Sequence, residues 1–353
     1  MSKIEKLFLL TGIILALASC ETKVNINAPW KDITVVYGLL NQTDTLHYIK
    51  VNKAFLGDES VYEMAQHSDS FNYHQVQVQL KKVSLANNSV VQIFHFTDTV
   101  VDKQPGIFAT DNNKVYYYRG KILTANESPK DYRFDLVVYV VDRNKTVTAS
   151  TQLLSDVNIL NPPYSDYVNI DFTAPSPYKV RWKTSPGARL FQLKVRFHYY
   201  EITPNDTTEK TIDMDFAQKT SINSTGGQEL SNGIALNGFL NFLKHHIPVD
   251  PNVTRVVKKE ALDFFVYSGS EDLYKYMQIS SPSNSIVQDK PFFTNINNGV
   301  GLFSARTVTA RKGKKLDRRT IDEISDNAET RDLNFLNYEE STYFWSNLKN
   351  QSK

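Results

Sequence analysis

Residues 132–153 read YRFDLVVYVVDRNKTVTASTQL. Apolar side chains recur at every second position from Phe134 to Val140, and Val147 and Ala149 resume the pattern, as in strands with one buried face. Between the two runs Arg143-Asn144-Lys145 carries an asparagine that tolerates left-handed backbone, so the stretch is predicted as two antiparallel strands and a tight turn. The same signature spreads upstream, with strand-like runs at 33–40, 46–55, 76–82, 90–96 and 115–119. Asn41-Gln42-Thr43-Asp44, Asn87-Asn88 and Asp111-Asn112-Asn113 supply turn chemistry between them. Seven such strands within about 120 residues predict an immunoglobulin-like β-sandwich over 30–160. The polar, acidic stretch 57–70 is expected to be a loop.

Downstream, the prolines of Asn161-Pro162-Pro163-Tyr164 and Pro175-Ser176-Pro177 mark 161–177 as a linker. A second β-rich domain, a sheet or partial barrel with a few short helices, is expected over 178–312. Runs at 178–183 and 190–201 flank Ser185-Pro186-Gly187-Ala188 as a predicted hairpin, and 211–216 alternates as another strand. Leu236, Phe239, Leu240, Leu243 and Ile247 fall at helical spacing before Pro248, and Ser270 caps a short helix that runs to Met277. Further strands are predicted at 261–267 and 300–310, and 313–353 is expected to be a charged tail packed only in part. The fold class is therefore mainly β.

The composition is that of a globular chain: 353 residues, 41% hydrophobic, with Phe 20 and Tyr 19 against Gly 14 and Pro 13, which excludes disorder and collagen-like structure. Forty basic residues against 38 acidic ones leave a net charge of +2, and nothing in that balance points to nucleic acid. The single cysteine excludes an intrachain disulfide.

That cysteine is the most informative residue of the N-terminus. Residues 1–19 combine a charged start, an apolar run from Leu7 to Leu17 and the small residues Ala18-Ser19, the plan of a signal peptide and too short to span a bilayer. Leu17-Ala18-Ser19-Cys20 is a bacterial lipobox, so Cys20 is expected to become an acylated N-terminus, with 20–29 as tether. At about 0.8 kcal/mol per buried methylene, several acyl chains hold a protein on a membrane without a transmembrane helix.

Candidate chemistry is sparse. None of the seven histidines occurs at metalloprotease or zinc-finger spacing, and adjacent His245 and His246 are read as a helix-end pair; no metal or cofactor is expected. Asp213 and Asp215 alternate on one strand and share a face about 6.5–7 Å apart, a spacing a glycosidase could use but one more often found on a solvated face. There is no Gly-x-Ser-x-Gly elbow, and Gly226-Gly227 and Gly299-x-Gly301 lack the remainder of a phosphate loop. Arg306, Arg311, Lys312, Lys314, Lys315, Arg318 and Arg319 form a basic run followed by acidic residues, which points to self-compensation. Tyr116-Tyr117-Tyr118 and Tyr199-Tyr200 each put at least one ring on an outer strand face, so Tyr117 and Tyr199 are the candidate binding platforms.

The lipobox with the strand that follows Trp30, the 132–151 hairpin, and the stretch from Tyr274-Lys275-Tyr276 to Asn295-Ile296-Asn297-Asn298-Gly299-Val300-Gly301-Leu302-Phe303 together resemble the domain-of-unknown-function 4249 family of Bacteroidota outer-membrane lipoproteins. The resemblance implies a lipid-anchored protein of the outer membrane, of a kind often encoded beside TonB-dependent receptors, and it brings no catalytic residues. The expected function is that of a non-catalytic binding or assembly accessory to an outer-membrane transporter. Its partners would be the bilayer, through acylated Cys20, and a β-barrel receptor, with no nucleic acid. A surface glycan- or peptide-binding lipoprotein, or an exported hydrolase using Asp213 and Asp215, are the alternatives.

Overall fold

The computed structural model describes residues 33–54, 61–104, 110, 112–165, 169–280 and 292–351. The expected signal peptide, Cys20 and the expected tether lie outside the described residues.

All seven strands expected in the first half are present: β1 (Thr34–Leu40), β2 (Leu46–Lys53), β3 (Val76–Ser84), β4 (Val90–Val100), β5 (Lys114–Arg119), β6 (Tyr132–Val140) and β7 (Lys145–Thr151). They pair in the order β1-β2-β5-β4 and β4-β3-β6-β7, the two layers of an immunoglobulin-type sandwich. Long β4 belongs to both layers, with 90–96 beside β3 and 97–100 beside β5. Alternation buries Phe134, Leu136, Val138 and Val140 of β6 against Val36, Ile49 and Val51 of the facing strands. Asn88 and Asn144 occupy left-handed backbone in the turns, as their side chains allow.

The second half contributes β8 (Asn158–Asn161), β9 (Tyr178–Lys183), β10 (Ala188–Thr203), β11 (Asp206–Asp215), β12 (Lys219–Thr220), β13 (Glu229–Ile234), β14 (Thr254–Ser270) and β15 (Val300–Lys314). The two expected domains are joined by their sheet. The start of β15 runs parallel to β1, from Val35–Val300 to Leu40–Ala305, and its remainder pairs antiparallel with β14. One sheet thus continues β11-β10-β14-β15-β1-β2-β5-β4, and residues 33–353 form one compact unit. The 161–177 segment, expected as a linker, is packed: Ile170 and Phe172 are buried, and the Phe172 amide donates to Thr320 Oγ1 at 2.9 Å. Proline reports the stiffness of a segment, not whether its intervening apolar residues find a core.

Three further expectations are corrected. Ser185-Pro186-Gly187 is not a hairpin turn, because β9 pairs with β8 and β13 in a separate three-stranded sheet while β10 joins the large one. The polar stretch before β3 contains two short helices, α1 (Val61–Ala65) and α2 (Ser68–Phe71). The charged tail is structured. Helix α5 (Arg318–Asp326) buries Thr320, Ile321 and Ile324, and α6 (Tyr338–Gln351) is fixed by Trp345, whose indole N–H donates to Val257 O at 2.9 Å. Helix α3 (Leu236–His246) forms as expected and inserts Phe239 against Phe172 and Phe197. Helix α4 (Glu271–Ser280) follows β14 directly, capped by Ser270, whose hydroxyl accepts from the Leu273 amide at 3.2 Å.

Candidate functional site

On β1 the residues Val36 and Leu40 point into the sandwich, so period-2 alternation sends Tyr37 and Leu39 to the opposite face, where they remain 41% and 37% exposed. On β2 the same logic exposes Tyr48 beside them and leaves Lys50 half-buried. Helix α4 leans over this outer face. Gly269 lies directly beneath it, where a Cβ would stand 2.8 Å from the Leu273 side chain. The result is a groove of about 490 Å³ between the helix residues Leu273, Tyr276 and Met277 and the strand residues Tyr37, Leu39, Tyr48 and Lys50. A second recess of about 280 Å³ reaches Tyr267 and Gln192 and shares Leu39, Leu273, Met277 and Arg306 with the first.

The groove walls are mainly apolar, with a few polar groups set into them. The Tyr276 hydroxyl donates to that of Tyr37 at 3.2 Å, and the rings meet edge to face at 6.0 Å. Burial pushes the Tyr37 hydroxyl up to about 12, so it is a neutral group at any physiological pH. Lys50 Nζ donates to Asn113 Oδ1 at 2.8 Å and to Lys114 O at 2.7 Å. Its desolvation, with the positive charge of Lys103 nearby, brings its pKa down to about 8. Arg306 and Asp44 lie 3.9 Å apart at the margin. Such a surface can hold an apolar or aromatic group by contact and orient it with few hydrogen bonds.

The residues singled out from sequence fare differently. Tyr117 is half-buried and directly opposite Tyr48 across the β2–β5 pair, so it does lie on the outer face beside the groove. Tyr199 does not. It is 4% exposed on the inner face of β10, with its ring 5.8 Å from Phe197 and 5.6 Å from Phe335, while Tyr200 takes the outward position against Phe344. The structure does bring Asp213 and Asp215 together, around Lys194 at 3.2 and 3.6 Å. Asp213 also accepts from Arg196 Nε at 2.7 Å and Nη2 at 2.9 Å. The Arg196 hydrogen bonds hold its carboxyl down to about 2, and an acid that strong keeps no proton to donate at neutral pH.

His245 and His246 lie in the last turn of α3, with Nδ1 2.6 and 2.8 Å from the carbonyls of Asn241 and Phe242. The basic run is largely compensated within the chain. Arg318 meets Asp322 and Glu339, Arg319 meets Asp317 and Asp171, and the Arg311 guanidinium is buried 3.2 Å from the Tyr164 ring centroid. Sequence reasoning missed Tyr37, Tyr48, Lys50 and Tyr276 as neighbours. The available signal was that β1 and β2 place bulky apolar or aromatic side chains on both faces, more than one buried face needs. It also missed His198, which sits on the polar face of β10 with Asp263 at 3.1 Å and Glu209 at 3.3 Å. No helix among the described residues is long and apolar enough to cross a membrane. No family model matches the chain, and no curated protein was found that matches it.

Proposed function

We propose that this protein is a lipid-anchored, non-catalytic binding protein of the outer membrane, tethered through Cys20, that serves as an accessory to an outer-membrane β-barrel receptor. The observation that carries the binding role is the groove under α4, where Tyr37, Tyr48, Tyr276, Leu39 and Met277 converge on an open sheet face. Its mainly apolar walls favour an apolar or aromatic segment of a protein partner over a sugar, whose hydroxyls require rows of donors and acceptors. The lipobox at Cys20 supports the anchor, and the ionised state of Asp213 weighs against a hydrolase built on that pair.

The test is affinity capture from solubilised membranes with the parent chain and with a Tyr37→Ala, Tyr48→Ala double variant. The expected result is a large barrel protein retained by the parent and lost with the double variant. Equal retention by both would remove the groove from the interaction. A second reading, glycan binding, is favoured by the strip that Tyr117 forms with Tyr48; a glycan array that responds to the parent, and not to Tyr117→Ala, would select it.

A further inference from the structure

Strand β4 changes partners part-way along its length. Residues 97–100 pair with β5 and residues 90–96 with β3, and among the described residues no strand pairs with the other edge of 90–96. That edge reads Val-Val-Gln-Ile-Phe-His-Phe, with no charged side chain, and Val90, Val91 and Ile93 are 50%, 52% and 44% exposed. The two terminal strands of the sheet differ from this edge. Strand β11 carries Asp206, Glu209, Lys210, Asp213 and Asp215, and β7 is bridged through Thr148 to Asn297. Folded proteins protect free edges with charges, bulges or covering segments; a neutral, β-branched edge left open is a template for another strand.

We propose that 90–96 of a second copy of this chain pairs antiparallel with the same residues here, about a two-fold axis at Ile93. This site is separate from the groove and does not depend on its reading. Two-fold pairing places Ile93 opposite itself and Val91 opposite His95 on one face, with Gln92 opposite Phe94 on the other. The pairing ends at Val90 opposite Phe96, because β5 takes the same edge from Thr97 onward, and no charged pair falls within it. This self-compatibility favours a second copy: the neutral strand meets itself with Ile93 on the axis and no charge buried beside it.

Sedimentation velocity of the full chain in detergent micelles tests the proposal. The parent is expected to sediment with twice the chain's mass. Ile93→Lys sets two ammonium groups against each other on the axis and should return single chains, whereas Tyr343→Lys, a comparable change on exposed α6, should leave the pair intact. Should Ile93→Lys misfold by circular dichroism, Ile93→Cys decides the matter: it should cross-link to its copy on mild oxidation, and Tyr343→Cys should not. A parent that sediments as a single chain overturns the proposal, whether or not another protein is captured at this edge. So does a pair that survives Ile93→Lys or fails to cross-link through Ile93→Cys.

Discussion

Lys50 shows how a single residue couples the groove to pH. Its amine has a pKa of about 8 in the folded chain against an ordinary 10.5, because folding desolvates it. Between those values the unfolded chain binds more protons than the folded one, so this residue makes stability rise with pH across that window. In Lys50→Met that rise should flatten, read as urea unfolding midpoints at pH 8 and pH 10; an unchanged difference between the two would show that the amine is not desolvated. Tyr117 and Tyr199 separate contact from packing. Tyr199→Ala removes a buried ring from the Phe197–Phe335 cluster and should cost about 3–5 kcal/mol in urea unfolding. Tyr117→Ala, on the outer face, should cost much less. A similar loss for both variants would contradict the assignment of faces.

At the scale of elements, alternation made the longer strands legible and left the short β8, β12 and β13 unmarked, because burial of one face leaves a period in the sequence only where the run is long enough to show it. Pairing was not legible in the same way. The runs 178–183 and 190–201 look like a hairpin, yet Trp182 and Phe191 belong to different sheets, a choice set by packing at a distance. The tail reads as loosely packed because Arg318, Arg319, Asp322 and Glu323 dominate its composition, while the apolar residues it buries, Leu316, Ile321, Ile324, Leu333 and Phe335, are few and widely spaced. The groove was half legible: Tyr117 could be placed on an outer face, but the helix that roofs the site cannot be positioned from local pattern. In the sequence the junction of β1 and β15 shows only as Gly299-x-Gly301 at the start of a predicted strand. Gly301 has φ 121° there, and any side chain would run into the Val36 carbonyl. Gly301→Ala should therefore disrupt the parallel pair, with early loss of amide exchange protection in β1. Retained protection in 34–40 would show that the contact is dispensable.

For the molecule as a whole, the shared sheet joins the two halves in one compact unit. Residues 33–160 expressed alone would leave the β1 edge that faces β15 unpaired, and should give a poorly dispersed NMR spectrum or aggregate. A well-dispersed spectrum from that piece would show that the sandwich is independent. The expected boundary at 161–177 failed for the same reason: a proline-rich stretch marks a break in local pattern, whereas a sheet formed between distant segments leaves no mark near the break.

The pairing of Val35 with Val300 also sets an order of events during biogenesis. An early strand must wait for nearly the entire polypeptide to emerge before its neighbour exists, and the conformational search that joins them has the slow kinetics of long-range topology. During that interval the incomplete chain exposes an open ribbon of backbone. Escort by holding chaperones until the last strand arrives is the regime in which such an architecture escapes misassembly.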